Sequence, residues 1–165
     1  MELTFHVRRA VAADAAAIAE YNVRLAWETE QKRLDLATVR TGVEAVLNDL
    51  SKGVYYVADC GGDVVVGQVC VTYEWSDWRN GNFWWLQSVY VEMGWRGRGL
   101  FRNLFTHVKR EAARAGNVVG LRLYVEEHNA AAQEVYRRRG MQRAAYQVFE
   151  LEIEPRAGLE VIKPG

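Results

Sequence analysis

The chain has 165 residues, half of them hydrophobic and a quarter charged, which is the composition of one globular domain with one core. Basic and acidic side chains both number 21, so the net charge is zero and no overall field favours nucleic acid or an anionic membrane. No apolar run approaches the ~18 residues of a membrane span, and residues 1–5 do not resemble a signal peptide, so we expect one cytoplasmic domain over residues 1–165 with a tail at 155–165.

The first half of the chain is predicted to form a strand, two helices and three strands. Alternation of polar and apolar residues marks the strands, and an Ala-rich run with helical periodicity marks the first helix. The turn Gly61-Gly62 predicts that the second and third strands form a hairpin. A polar segment, 74–81, is predicted to be a loop. In chain order the predicted elements cover residues 3–9, 12–30, 38–50, 54–59, 64–73 and 83–92.

The second half is predicted to alternate between helix and strand, over residues 100–116, 118–125, 129–139 and 141–153. The complete order is therefore β-α-α-β-β-β-α-β-α-β. It predicts an α/β (α+β) fold, in which helices flank a mixed, mostly antiparallel central sheet.

No metal site is predicted, because the three histidines are scattered and the cysteine spacing matches no metal motif. Cys60 and Cys70 fall in the predicted hairpin. Symmetric pairing about its turn places Cys70 opposite Gly53 and separates the two sulfurs, so we expect free thiols.

The segment from Ser88 to Arg102 is the most informative in the chain. A strand runs into a glycine-rich turn, and the turn opens a helix. Gly97 and Gly99 allow the backbone to bend so that N–H groups and the helix N-terminus face an anion, and three arginines add positive charge. The segment therefore predicts a pyrophosphate site, and the alternative is a basic surface turn.

This segment resembles the acetyl-CoA motif of the GNAT superfamily of N-acetyltransferases, whose pattern is Q/R-x-x-G-x-G/A. Arg96 and Gly99 match the pattern, but Phe101 stands where Gly or Ala is usual. The Phe101 side chain either packs along the helix or narrows the pocket. The resemblance implies an acetyl-CoA-dependent acyltransferase whose co-substrate is held by Val89, Tyr90, Val91, Arg96, Gly97, Arg98, Gly99, Leu100, Phe101 and Arg102.

Residues 123–141 resemble the second motif of the same family. Asn129, Ala132 and Tyr136 share one helix face, so a small residue lies between two polar ones. The alternative is a capping Asn129 and a packed Tyr136. The resemblance implies that the pantetheine arm passes Asn129 and that the amine attacks the thioester directly. It also implies that a strand N–H near Val91 stabilises the oxyanion and that Tyr136 protonates the departing thiolate.

The amine needs a base, because a lysine-like amine has a pKa of about 10.4 and its neutral form costs roughly 4.6 kcal/mol at pH 7. Glu28 is predicted on the apolar face at the end of the first helix, where a substrate ammonium or a neighbouring arginine or lysine would neutralise it. Glu74 and Asp77 lie beside Trp75 in the predicted loop, a combination that could hold a cation. This loop faintly resembles that of diamine and polyamine acetyltransferases, and the alternative is packing of the tryptophans.

We therefore predict acetylation of a small primary amine, with Tyr136 and Glu74 catalytic and Glu28, Trp75 and Asp77 binding the acceptor. One rival is a non-catalytic module that senses acyl-CoA, which Phe101 favours, and another is an enzyme acting on protein amines. Nucleic-acid binding conflicts with the zero net charge. A homodimer would cover exposed edge strands and tryptophans.

Overall fold

The computed structural model describes residues 4–153, which form two compact units, residues 4–123 and residues 124–153. Among residues 4–153, no helix is both long enough and apolar enough to cross a membrane. The single domain over residues 1–165 stays a prediction, and the predicted tail at 155–165 lies outside the described residues.

The predicted elements of the first unit all form, and their bounds differ from the predicted ones by a few residues. They are β1 (His6–Arg9), α1 (Ala15–Glu30), α2 (Leu36–Asn48), β2 (Val54–Asp59), β3 (Val65–Ser76), β4 (Gly81–Val91), α3 (Leu100–Ala115) and β5 (Val118–Leu123). One turn of 3-10 helix, Ala12–Asp14, precedes α1 and another, Met93–Trp95, follows β4. The second unit contains the helix α4 (Ala130–Arg137).

The five strands form one sheet in the order β1-β2-β3-β4-β5. Every pair is antiparallel except β4 and β5, which run parallel across the α3 connection. The mixed, mostly antiparallel sheet is therefore confirmed.

Helices cover both faces of the sheet. Ile18 and Tyr21 of α1 and Val43 of α2 pack with Tyr55 and Cys70 on one face. The amphipathic helix α3 packs on the other face, where it approaches β3 at Gly67 so closely that a Cβ on this residue would lie 2.4 Å from Leu100 Cδ2. That contact requires glycine and fixes the N-terminus of α3 against the sheet.

A buried arginine cluster ties β1 to β2 and to the start of α1. Arg8 Nη1 donates to Asp14 Oδ2 at 2.8 Å, and Arg8 Nε donates to Asp59 Oδ2 at 2.9 Å. The two carboxylate side chains are only 3% and 4% exposed. The hydrogen bond from Arg8 lowers the pKa of Asp59, so this carboxylate stays ionised in the folded protein.

Three predictions about the fold are wrong. Residues 74–81 are not one loop, because β3 continues to Ser76, β4 begins at Gly81, and a tight turn joins them. Cys70 lies opposite Tyr55, since the hairpin loop does not pair symmetrically, although both cysteines are free as expected. The last strand does not form over residues 141–153. An alternating pattern favours extended backbone, but a strand also needs a partner, and none of the described residues pairs with this segment.

Candidate acetyl-CoA and acceptor site

The glycine turn after β4 adopts the backbone that an anion cradle requires. Gly97 has φ of 76° and Gly99 has φ of 78°, in the left-handed region that side-chain-bearing residues rarely occupy. Gly99 is the N-cap of α3, so the first N–H groups of that helix have no partner within the helix. The turn therefore directs backbone donors and the positive end of the helix dipole outward.

The three arginines of the turn have different surroundings. Arg98 and Arg102 are exposed, and within residues 4–153 no carboxylate lies at ion-pair distance from either. Arg96 instead donates to Glu28 Oε2 at 2.7 Å and to the carbonyl oxygen of Val91 at 2.9 Å. Arg98 and Arg102 are thus the side chains available to an incoming phosphate, while Arg96 holds the turn in place.

Glu28 joins α1 to the glycine turn. Besides Arg96, its carboxylate accepts a hydrogen bond from the Tyr90 hydroxyl at 3.1 Å. Burial and the neighbouring Glu28 raise the pKa of Tyr90, so this phenol stays protonated. The Tyr90 ring is buried and stacks on Tyr21 at 4.8 Å, so its side chain serves the core. The alternative partner of Glu28 was predicted to be an arginine or lysine near it in sequence, whereas its partner in the structure is Arg96, 68 residues away.

A β-bulge interrupts β4 just before the turn. The β3–β4 register shifts between Gln68 and Cys70, so that Ser88 and Val89 together lie opposite Val69. Ser88 has φ of 50°, an uncommon conformation for this residue type. A bulge leaves backbone groups outside the ladder, and such strain clusters at functional sites. The sequence carried no signal for it, since serine does not require positive φ.

The sheet opens next to this bulge. The β4–β5 ladder ends at the pair Leu86–Leu123, whereas β4 continues to Val91. The backbone of β4 beyond Leu86 therefore presents an edge that β5 does not cover. An extended chain with amide groups can bind such an edge by main-chain hydrogen bonds.

Glu74 lies on the sheet face that α1 and α2 partly cover. Its carboxylate accepts hydrogen bonds from Trp85 Nε1 of β4 and from Arg122 Nη1 of β5, the latter at 2.9 Å. Trp75 follows Glu74 in the same strand, so its side chain is on the opposite face. Asp77 lies in the turn between β3 and β4 and bonds the N–H of Trp78. The structure therefore places Trp75 on the opposite face from Glu74, and the tryptophan that contacts Glu74 is Trp85.

Arg122 is a site residue that the sequence analysis missed. Its guanidinium lies over the Phe83 ring at 3.6 Å from the centroid, and its side chain is 31% exposed. It comes from β5, 48 residues after Glu74. No motif marks it, and only the pairing of three strands brings it to this face.

Phe101 packs along its own helix. Its ring is half-buried and lies 6.0 Å from that of Phe105, one turn later in α3. Of the two alternatives for Phe101, the structure shows the helix packing.

In the second unit, Asn129 and Tyr136 lie at opposite ends of α4. Asn129 Oδ1 caps the helix by accepting from the N–H of Ala132 at 3.0 Å. Tyr136 is half-buried in the last turn, and burial raises the pKa of its hydroxyl. A phenol with a raised pKa keeps its proton at neutral pH, as a general acid must.

A cavity lies outside this site. On the α3 face of the sheet, a cavity of about 470 Å³ is lined by Tyr56, Tyr73, Trp84 and His107, among others. It contains none of the predicted site residues. Among residues 4–153, no group of three or more histidine, cysteine and acidic side chains is arranged to hold a metal ion.

Comparison with known proteins identifies relatives of this arrangement. Residues 19–141 match the profile of the acetyltransferase (GNAT) family. A solved structure described as a possible acetyltransferase from Clostridium difficile 630 is 45% identical, with 92% of this chain and 99% of that chain covered and a TM-score of 0.84. No curated protein sequence matches significantly.

More distant solved structures share the fold. One is described as a probable acetyltransferase, with 22% identity, a TM-score of 0.78, and 92% of this chain and 99% of that chain covered. Another is AAC(6')-Iy in complex with the bisubstrate analogue CoA-S-monomethyl-acetylneamine, with 14% identity, a TM-score of 0.71, and 91% of this chain and 99% of that chain covered.

Proposed function

The chain belongs to the GNAT acetyltransferase family and is an acyltransferase, and from that premise we propose that it acetylates the primary amine of a small molecule by direct attack. The observation that carries the proposal is the turn at Gly97 and Gly99. This turn leads into the N-terminus of α3. Two exposed arginines lie there, Arg98 in the turn and Arg102 in the first turn of the helix. These groups suit the diphosphate of acetyl-CoA in charge and in hydrogen-bond direction.

The rest of the co-substrate fits the opening of the sheet. Acetyl-CoA supplies the acetyl group as a thioester. The edge of β4 between Gln87 and Val91 offers backbone groups to the pantetheine amides. Asn129 stays a proposed contact of the co-substrate because of the family motif that residues 123–141 resemble. The bulge at Ser88 and Val89 lies within this edge. We propose a backbone N–H of this stretch, up to Val91, as the donor to the oxyanion.

The proposed chemistry moves three protons. Glu74 accepts the first proton that the substrate ammonium loses, directly or through water, and Tyr136 donates a proton to the thiolate that leaves. The second proton leaves the nitrogen after the attack and restores the Tyr136 hydroxyl, directly or through water. The new bond joins the amine nitrogen to the acetyl carbon, and the carbon–sulfur bond breaks. The exposed part of Glu74 keeps it accessible, since its side chain is 42% exposed.

Release of free thiol from acetyl-CoA tests the transferase. The purified protein is assayed with separate pools of diamines, amino acids, aminoglycosides and a lysine peptide. Stimulation by a small-molecule pool is the expected result, whereas stimulation by the peptide alone would contradict the small-molecule acceptor. Binding of acetyl-CoA with no thiol release in any pool would favour a sensing module instead.

The cradle itself is tested by calorimetry with acetyl-CoA. Arg98→Gln and Arg102→Gln are each expected to raise Kd about tenfold, because each removes a charged hydrogen bond to phosphate at a partly hydrated site. Lys109→Gln, a cation in the middle of α3, is the matched control and should leave Kd unchanged. Equal Kd values in all three variants would remove the turn from the site.

A further inference from the structure

Glu28, predicted to bind the acceptor amine, and Glu74, predicted to be catalytic, each have an arginine beside them. Arg96 pairs with Glu28 at 2.7 Å, and Arg122 pairs with Glu74 at 2.9 Å. Each of these carboxylates therefore already has a compensating positive group. Neither pair offers the excess of negative charge that would favour a polycation.

The contacts of Arg122 restrict its orientation and leave N–H donors of its guanidinium available. The guanidinium carbon lies 3.6 Å from the centroid of the Phe83 ring and 5.9 Å from that of Trp85, and these contacts restrict its orientation. A guanidinium has five N–H donors, and within residues 4–153 only Nη1 makes a hydrogen bond. A preoriented arginine with spare donors is the usual partner of a carboxylate, which it binds through two parallel hydrogen bonds.

The same face also offers acceptors for an ammonium group. An ionised carboxylate has about four lone-pair positions, and Glu74 uses two of them, for Trp85 and Arg122. Gln87 is exposed further along the same face and donates to the Thr72 hydroxyl, which leaves the Gln87 amide oxygen as an acceptor. Negative and positive groups thus lie side by side on an accessible sheet face.

We propose that the acceptor is an amine that also carries a carboxylate, as amino acids do. Its carboxylate binds Arg122 and its ammonium group approaches Glu74. This inference rests on the proposed acetyl transfer and narrows its substrate class. A diamine of equal length would place its second ammonium against the Arg122 guanidinium, where like charges repel.

Matched pairs of acceptors test the inference in the thiol-release assay. Each pair consists of a carboxylate-bearing amine and the same amine without the carboxylate, namely lysine and cadaverine, arginine and agmatine, phenylalanine and phenethylamine, and 5-aminopentanoate and butylamine. For at least one pair, kcat/KM is expected to be about tenfold or more higher with the carboxylate, the range of one charge-assisted hydrogen-bonded pair.

Variants of Arg122 then connect this preference to the residue. Arg122→Gln should lower the ratio of kcat/KM between the carboxylate-bearing acceptor and its decarboxylated partner about tenfold, because an effect that acts through Glu74 falls on both amines and cancels in that ratio. Arg122→Lys should restore part of it. Arg40→Gln is the control, because Arg40 also pairs with a glutamate, Glu44, on the exposed surface of α2. Thermal unfolding of each variant shows that it is folded.

The outcomes separate this inference from the proposed function. A decarboxylated amine that is as good as its partner in every active pair, or a preference unchanged in Arg122→Gln, overturns the inference while the transferase stands. No thiol release with any amine overturns the proposed function itself.

Discussion

Gly97→Ala tests whether the left-handed turn is needed for acetyl-CoA binding. At φ of 76°, an L-residue with a Cβ costs about 1–2 kcal/mol. Nothing lies within 4 Å of a Cβ added at Gly97, so steric clash contributes nothing and the cost is that of the backbone alone. A cost of that size corresponds to a 5- to 30-fold change in an equilibrium constant.

If the turn keeps its shape, Tm is expected to fall by about 2–8 °C. If the turn relaxes to another shape, the same free energy is expected to raise the Kd of acetyl-CoA about 5- to 30-fold. Gly97→Asn should show a smaller effect, because asparagine tolerates this region better than alanine.

Gly94→Ala is the matched control, three residues earlier. It also has open space around the added Cβ, but its φ is not in the left-handed region. Differential scanning calorimetry and isothermal titration give the two measurements. The reasoning is refuted if Gly97→Ala and Gly94→Ala have the same Tm and the same Kd.

Three further predictions concern single side chains. Arg8→Met should lower the free energy of unfolding by about 3 kcal/mol at pH 7, because it leaves two buried carboxylates without their cation. Since the pKa of Asp59 is lowered in the folded state, the stabilisation from this carboxylate is present above pH ~4 and is lost as the pH falls. Denaturant unfolding at pH 3 should therefore show a smaller difference in the free energy of unfolding between Arg8→Met and the wild type. A difference that stays constant with pH would contradict the ion-pair explanation. Tyr136→Phe should lower turnover ~10²-fold with acetyl-CoA affinity retained, and unchanged turnover would exclude Tyr136 as the acid. A thiol reagent at pH 8 should modify only Cys60 in the folded protein, because burial raises the pKa of Cys70 to about 12; reaction of two thiols before unfolding would disprove this.

Local patterns in the sequence predicted most of the fold. Helix α3 was recognisable from an apolar residue every three or four positions, and β2 was predicted with its exact bounds. The glycine turn was also predicted from the local sequence. Two glycines directly before a predicted helix allow the left-handed backbone of a tight turn. These features depend on short-range constraints.

The partners of the site residues could not be predicted from the sequence. Arg96 lies 68 residues from Glu28, and Arg122 lies 48 residues from Glu74, so no local period connects them. Which cation reaches a carboxylate depends on strand order and register, and these are fixed by the packing of the whole unit. The pairing of acidic and basic groups, and with it the inferred carboxylate-bearing acceptor, therefore emerged only from the structure.

The sequence by itself determined the helices, nearly all the strands, the family resemblance and the position of the glycine turn, since periodicity and glycine placement act over a few residues. Tertiary structure alone decided that β4 bulges at Ser88, that Trp75 lies on the opposite face from Glu74, and that residues 141–153 form no strand. Each of these depends on which backbone lies alongside another, and hydrogen bonds between distant strands leave no mark in the local pattern.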